Sequence, residues 1–236
     1  MDRRQFLFAT CASAAAWSSR AATGSALVAV AANFAKTAEG VLPAFEAETG
    51  YQITLSSGST GQLYGQITNG APYDALLAAD QARPALLAEA GLSLNRLTYA
   101  RGLLVLMQAQ GTATEASLLG NYNHLAIANP ALAPYGLAAK QALEKMGLWE
   151  ALKGRIVMGQ NAGQAYALVA SGNAELGLVA RSSVQSGFWS VPEDHYAPIL
   201  QDAVLLRENP AAAAFLAYLG VDTTQAAIRA AGYGAL

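Results

Sequence analysis

The chain has 236 residues, 53% hydrophobic and 13% charged, which is enough apolar material for a packed core and too little charge for a disordered chain. Fourteen Lys and Arg against sixteen Asp and Glu give a formal net charge of −2; beyond residue 25 the balance is eleven basic against fifteen acidic residues. That excludes the basic patch through which polyanion binders release counterions, so nucleic acid is not an expected partner, and any bound anion must be small and held by directed bonds.

The first 25 residues read as an export signal. Arg3 and Arg4 precede an apolar stretch from Phe6 to Trp17, and mostly small residues follow to Ala26, the layout of a signal peptide. The string Arg3-Arg4-Gln5-Phe6-Leu7 resembles the twin-arginine signal, cleavage is expected after Ala21 or Ala22, and the expected location is the periplasm. The apolar stretch is shorter than the roughly 20 residues of a membrane span. Cys11, the single cysteine, lies inside this segment, so the processed chain has no thiol chemistry.

Beyond the signal, short β-type runs alternate with helical patterns. Strands are predicted at Ala26 to Ala31, Tyr51 to Leu55 and Ala75 to Leu77, with helices at Ala38 to Glu48, ended by Gly50, and at Gly61 to Asn69. A second set begins near Arg101. It has strands at Leu103 to Met107, Leu125 to Ala128, Arg155 to Met158 and Leu176 to Val179, and helices at Leu137 to Met146 and Gly163 to Ser171. The tail returns to a strand at Ala203 to Leu206 and helices at Ala211 to Tyr218 and Thr224 to Ala231. Two α/β lobes are expected, 26–98 plus 198–236 and 99–197, joined by extended crossings near Tyr99 and Ala197, each lobe a mixed, mostly parallel sheet flanked by helices.

Four loops that enter helices share one chemistry: Ala31-Ala32-Asn33-Phe34, Ser56-Ser57-Gly58-Ser59-Thr60-Gly61, Asn129-Pro130 through Tyr135-Gly136, and Gln160-Asn161-Ala162-Gly163. Each offers small or donor-bearing residues and free backbone N–H groups. In open α/β sheets, ligands sit beyond the carboxyl ends of strands, and helix N-termini there favour anions. Hydrogen bonds to an ionised partner contribute about 1.5–3 kcal/mol each, so several of them hold a small dianion without a buried Lys or Arg. No carboxylate occurs in these loops. A donor-only site suits a fully deprotonated oxyanion, whereas protonated phosphate would need an acceptor. Asp74 and Asp80 read as turn or capping residues.

These loops, together with Asn69-Gly70-Ala71-Pro72-Tyr73-Asp74, Ala79-Asp80 and Leu176-Gly177-Leu178-Val179-Ala180, resemble the periplasmic molybdate-binding proteins of ABC transporters from Leu27 to about Tyr233. The resemblance implies a type II periplasmic-binding-protein fold with the ligand in the cleft between the lobes. It implies capture of molybdate or tungstate by a monomer, delivery to the membrane permease of an ABC transporter, no cofactor and no metal ligated directly by side chains. The implied ligand residues are Ala32, Asn33, Thr60, Tyr135 and Ala162. Ala32 would give its backbone N–H, Asn33 its amide, Thr60 a hydroxyl where the family commonly has Ser, and Ala162 its N–H. Ala180 stands where other members carry a Tyr that reaches the anion, so the chain falls in a branch that uses Tyr135 instead.

Two other readings compete. One is a hydrolase with Ser57 or Ser59 as nucleophile, against which His124 and His195 sit in no triad or metal spacing and no Gly-x-Ser-x-Gly elbow or His-Glu-x-x-His occurs. The other is a binder of a different small ligand, such as sulfate or an amino acid; an amino acid would want an Arg or Asp at the cleft, and Arg181 is the nearest candidate.

Overall fold

A computed structural model describes residues 24–236, so the expected export signal, with Cys11, lies outside the described residues except for its last two positions. The first of two five-stranded sheets contains β1 (Ser25–Ala31), β2 (Gln52–Gly58), β3 (Ala75–Leu77), β4 (Asn95–Gly102) and β10 (Ile199–Leu205) in the order β2-β1-β3-β10-β4. The second contains β5 (Leu104–Gln108), β6 (Leu125–Ala128), β7 (Ile156–Gly159), β8 (Leu176–Ala180) and β9 (Trp189–Ser190) in the order β7-β6-β8-β5-β9. The chain crosses from one sheet to the other at Leu103 and returns between Ser190 and Ile199.

Helices cover both faces of each sheet. Around the first lie α1 (Ala35–Thr49), α2 (Thr60–Thr68), α3 (Ala82–Glu89), α7 (Pro210–Leu219) and α8 (Asp222–Ala230); around the second lie α4 (Pro134–Lys145), α5 (Trp149–Leu152) and α6 (Ala162–Ala170). In β1, Val28 and Val30 pack under α1 and α7 with Phe34, Phe45 and Phe215, while Ala29 faces Leu63 and Ile67 of α2. In β5 the same alternation sends Leu104 and Leu106 toward α4 and Val105 and Met107 toward α6. This period-2 division between two apolar cores explains why the strands read as continuous hydrophobic runs.

Both sheets are mixed: β1 runs parallel to β2 and β3, and β6 to β7 and β8, whereas β10 and β5 pair antiparallel with their neighbours. Gly50 ends α1 in the left-handed conformation (φ 76°) and returns its N–H to Glu46 O, the C-terminal stop that glycine makes easily. All six predicted helices start one to three residues earlier than expected, at Ala35, Thr60, Pro134, Ala162, Pro210 and Asp222; proline is accommodated at the first helical position of α4 and α7, and β1 leads into α1 by a tight turn. Four helices and strands absent from the sequence expectation are α3, α5, β4 and the short β9. In place of an extended crossing near Tyr99, β4 pairs along its length with β10.

Candidate functional site

The four loops meet at one small cavity, lined by residues from 31–33, 58–60, Ala79, 133–135 and 161–162. All five residues singled out from the sequence line it: Ala32, Asn33, Thr60, Tyr135 and Ala162. No lining side chain is charged. Helices α2, α4 and α6 begin here, each with a partial positive charge of about half a unit at its N-terminus.

The β1–α1 turn is held by its neighbours. Phe34 is fully buried, with Tyr99 and Tyr233 edge-on to it at 4.7 and 5.4 Å, and this anchor fixes the preceding residue. Ala32 N–H donates to Gly58 O (2.9 Å) and Phe34 N–H to Ala31 O (2.8 Å), so among the described residues the N–H without a partner is that of Asn33. The expected Ala32 donor is therefore used up, because the β1–β2 ladder continues through Ala31 and Gly58. A similar correction applies to the Asn33 side chain: its Nδ2 donates to Gln201 Oε1 (3.0 Å) and Tyr233 Oη (3.3 Å), leaving the main-chain N–H as the donor with no partner.

At the second loop Ser59 caps α2 in a reciprocal box with Gln62, a common N-terminal arrangement. The Ser59 hydroxyl donates to Gln62 Oε1 (2.9 Å), and no histidine lines the cavity, which leaves the hydrolase reading without a base. His124 lies instead 4.0 Å from Glu175, and His195 4.0 Å from Asp194. Thr60, 1% exposed, accepts from Ala79 N–H through Oγ1 (3.0 Å). Its hydroxyl proton and its N–H have no partner among the described residues.

In the second lobe Asn129 shapes the loop before α4. Its side chain accepts from Ala131 N–H (3.0 Å) and its carbonyl from Leu132 and Ala133 N–H (3.1 and 2.9 Å). Pro134 opens the helix, so the N–H of Tyr135 is left over. The Tyr135 hydroxyl accepts from Gln201 Nε2 (3.3 Å) and rests against Gly102, where a Cβ would come within 2.3 Å of it. Only glycine leaves room there. Burial first, then the neighbouring Tyr233, holds the Tyr135 pKa well above the usual phenol value, so it stays a neutral hydroxyl. Asn161 caps α6 by accepting from Gln164 N–H (2.9 Å), and Ala162 N–H has no partner among the described residues.

The arrangement therefore offers four backbone N–H groups, from Asn33, Thr60, Tyr135 and Ala162, and two neutral hydroxyls. Behind it lies a layer that the sequence reading missed. Gln201, fully buried, also accepts from Tyr99 Oη (3.1 Å), and Tyr233 Oη donates to Asn33 O (2.7 Å). Burial pushes the Tyr233 phenol up to about 12. Gln201 and Asp202, polar side chains inside the otherwise apolar Ile199–Leu205 strand, were the available signal. Ala180 is fully buried in the same apolar cluster as Tyr135. Arg181 stacks on Phe188 at 4.3 Å and does not line the cavity. Asp80 accepts from Arg83 N–H (3.0 Å) at the start of α3 and Asp74 from Leu27 N–H (2.7 Å). Among the described residues no cluster of three or more His, Cys, Asp or Glu could ligate a metal.

Two α/β lobes with a donor-lined cavity at facing helix N-termini define a class of solute-binding protein, and the chain belongs to the family of bacterial extracellular solute-binding proteins, which matches residues 26–234. Among its relatives, the molybdate-binding protein ModA of Azotobacter vinelandii is 46% identical over 224 residues, covering 88% of each chain. ModA of Rhodobacter capsulatus is 41% identical over 225 residues, covering 90% of this chain and 89% of the relative. The solved Azotobacter vinelandii periplasmic molybdate-binding protein superposes with a TM-score of 0.85 at 38% identity, covering 89% of this chain and 99% of that one.

Proposed function

We propose that this protein captures molybdate in the periplasm and delivers it to the permease of an ABC transporter, binding without catalysis and acting as a monomer. The observation that carries the reading is the set of four N–H groups with no partner among the described residues, and two hydroxyls, around a cavity with no charged side chain. Such a set satisfies a tetrahedral dianion on all sides and offers a protonated anion no charged acceptor. The similarity to molybdate-binding relatives supplies the metal of the oxyanion. Tungstate, with the same charge and shape, fits equally.

In this reading the first lobe, 26–98 plus 198–236, holds the anion through Asn33 N–H and the Thr60 hydroxyl and N–H, with Ala32 shaping the wall. The second lobe, 99–197, closes on it with Tyr135 and Ala162 N–H. Closure creates the face the permease reads, so binding shifts the population from open to closed. Residues 1–25 direct export.

A thermal-shift titration of the processed protein against molybdate, tungstate, sulfate and phosphate tests it. Ligand at about a thousand times its Kd stabilises a fold by roughly 4 kcal/mol. Stabilisation by the two metal oxyanions and not by phosphate is expected, and no shift with either metal oxyanion would sink the proposal.

A further inference from the structure

Of the hydrogen bonds that cross between the lobes beside the cavity, two end on consecutive carbonyls. Arg83 Nη2 donates to Ala131 O (3.1 Å), and Gly61 N–H donates to Leu132 O (2.9 Å). Both acceptors lie in the turn that leads into α4 and Tyr135. The Arg83 guanidinium is aimed rather than loose: Nη1 pairs with one oxygen of Asp80, whose other oxygen accepts Arg83's own N–H (3.0 Å). A planar guanidinium fixed on one side presents its remaining donors in a set direction.

Gly61 points the same way independently. It sits in the first turn of α2 without a positive φ, where alanine is the better helix former. A Cβ there would lie 2.9 Å from Leu132 O, 3.1 Å from Leu132 Cα and 3.2 Å from Arg83 Nη2. The missing side chain is thus required by the opposite lobe and not by its own helix. Neither Arg83 nor Gly61 lines the cavity.

We infer that Arg83 and Gly61 form a clasp for the closed state: they hold the 131–135 turn against the first lobe and slow release of the bound oxyanion. Arg83 acts as a positioning residue, oriented by Asp80, and never touches the anion. The inference rests on the oxyanion-capture reading. Its test compares wild type with Arg83→Ala, Arg83→Lys and Gly61→Ala. The measurements are molybdate Kd by calorimetry, release rate by stopped-flow competition, the unfolding midpoint of ligand-free protein, and the radius of gyration with and without molybdate. Loss of one hydrogen bond predicts a Kd about fivefold higher in Arg83→Ala, with Arg83→Lys intermediate. The clash predicts a rise of about tenfold or more in Gly61→Ala, carried mostly by faster release, with a ligand-free midpoint no lower than wild type. Wild-type release rates in Arg83→Ala and Gly61→Ala overturn the clasp, and so does an affinity loss matched by a lower ligand-free midpoint. If wild type binds neither molybdate nor tungstate, the functional reading fails, and scattering alone decides the clasp: expanded ligand-free variants support it and unexpanded ones refute it.

Discussion

Replacing Tyr135 by Phe removes one oxygen and leaves the ring in its place, which is 2% exposed within the second lobe's main apolar cluster. Two effects follow, and they separate. If the hydroxyl donates to the anion, its loss costs binding about 1.5–3 kcal/mol, or roughly 10- to 150-fold in Kd. In ligand-free protein the same change strands Gln201 Nε2, which now donates to Tyr135 Oη at 3.3 Å. Leaving a buried donor unpaired costs about 1–3 kcal/mol, and so long a bond places the loss toward the lower end. Calorimetry with molybdate reads the first effect, and urea unfolding of ligand-free protein reads the second. A Kd within about twofold of wild type, together with the loss of stability, would mean that the hydroxyl serves only Gln201, and the assignment of Tyr135 as a ligand residue would fall.

Thr60→Ala should weaken molybdate binding by about 1.5–3 kcal/mol in calorimetry, whereas Thr60→Ser, which keeps both the free proton and the acceptor used by Ala79 N–H, should stay near wild type. Gly102→Ala should lower affinity and destabilise the fold by about 1–3 kcal/mol, because its Cβ would force Tyr135 and Gln201 aside; a wild-type Kd would show that the Tyr135 position is not critical. Molybdate affinity should be flat from about pH 7 to 9, since no lining side chain changes charge there; a steep change over that window would reveal a titrating group in the site. The Tyr233 phenol is raised from 10.0 to about 12, so its contribution to stability is full below pH 10.0 and lost as pH climbs toward 12, which denaturant titrations across that range would detect.

Most of the architecture was legible because it is written locally. Apolar runs such as Leu125–Ala128 are buried on both faces, and Gly50 and the Ser59 box mark helix ends with their own side chains or conformations. What was not legible depends on distant partners. The run Asn95–Gly102 carries polar residues and reads as a crossing, yet it is a strand because β10, about a hundred residues later, supplies its ladder. Helix α3 has no side-chain cap at Gln81 and carries Pro84 in its first turn. At the cavity, residues at helix starts announced themselves, while Gln201 and Tyr233 reach Asn33 from 168 and 200 positions away. Which N–H in the first loop stays free follows from the β1–β2 register, a tertiary fact that shifts the donor from Ala32 to Asn33.

The inward turn of the Asn33 amide changes how selectivity is to be understood. A side-chain amide aimed at a ligand could rotate and offer its oxygen, an acceptor, to a protonated anion. Here both of its N–H groups are committed to Gln201 and Tyr233, and the donors that remain are main-chain groups in the β1–α1 turn and at the starts of three packed helices, plus two hydroxyls each fixed by an accepted bond from Ala79 N–H or Gln201 Nε2. Such groups are oriented before the ligand arrives, so little ordering cost is left at binding. The same economy of space accounts for Ala180. It is fully buried in the cluster that contains Tyr135, and Tyr135 rests its hydroxyl against a glycine with no room for a methyl group. A second tyrosine at position 180 would have to enter a core already filled, and overpacking costs about 1–3 kcal/mol. On the proposed assignment of Tyr135 as a donor to the anion, its hydroxyl on α4 and the small residue at the end of β8 go together, where the second lobe packs against Gly102 at the crossing.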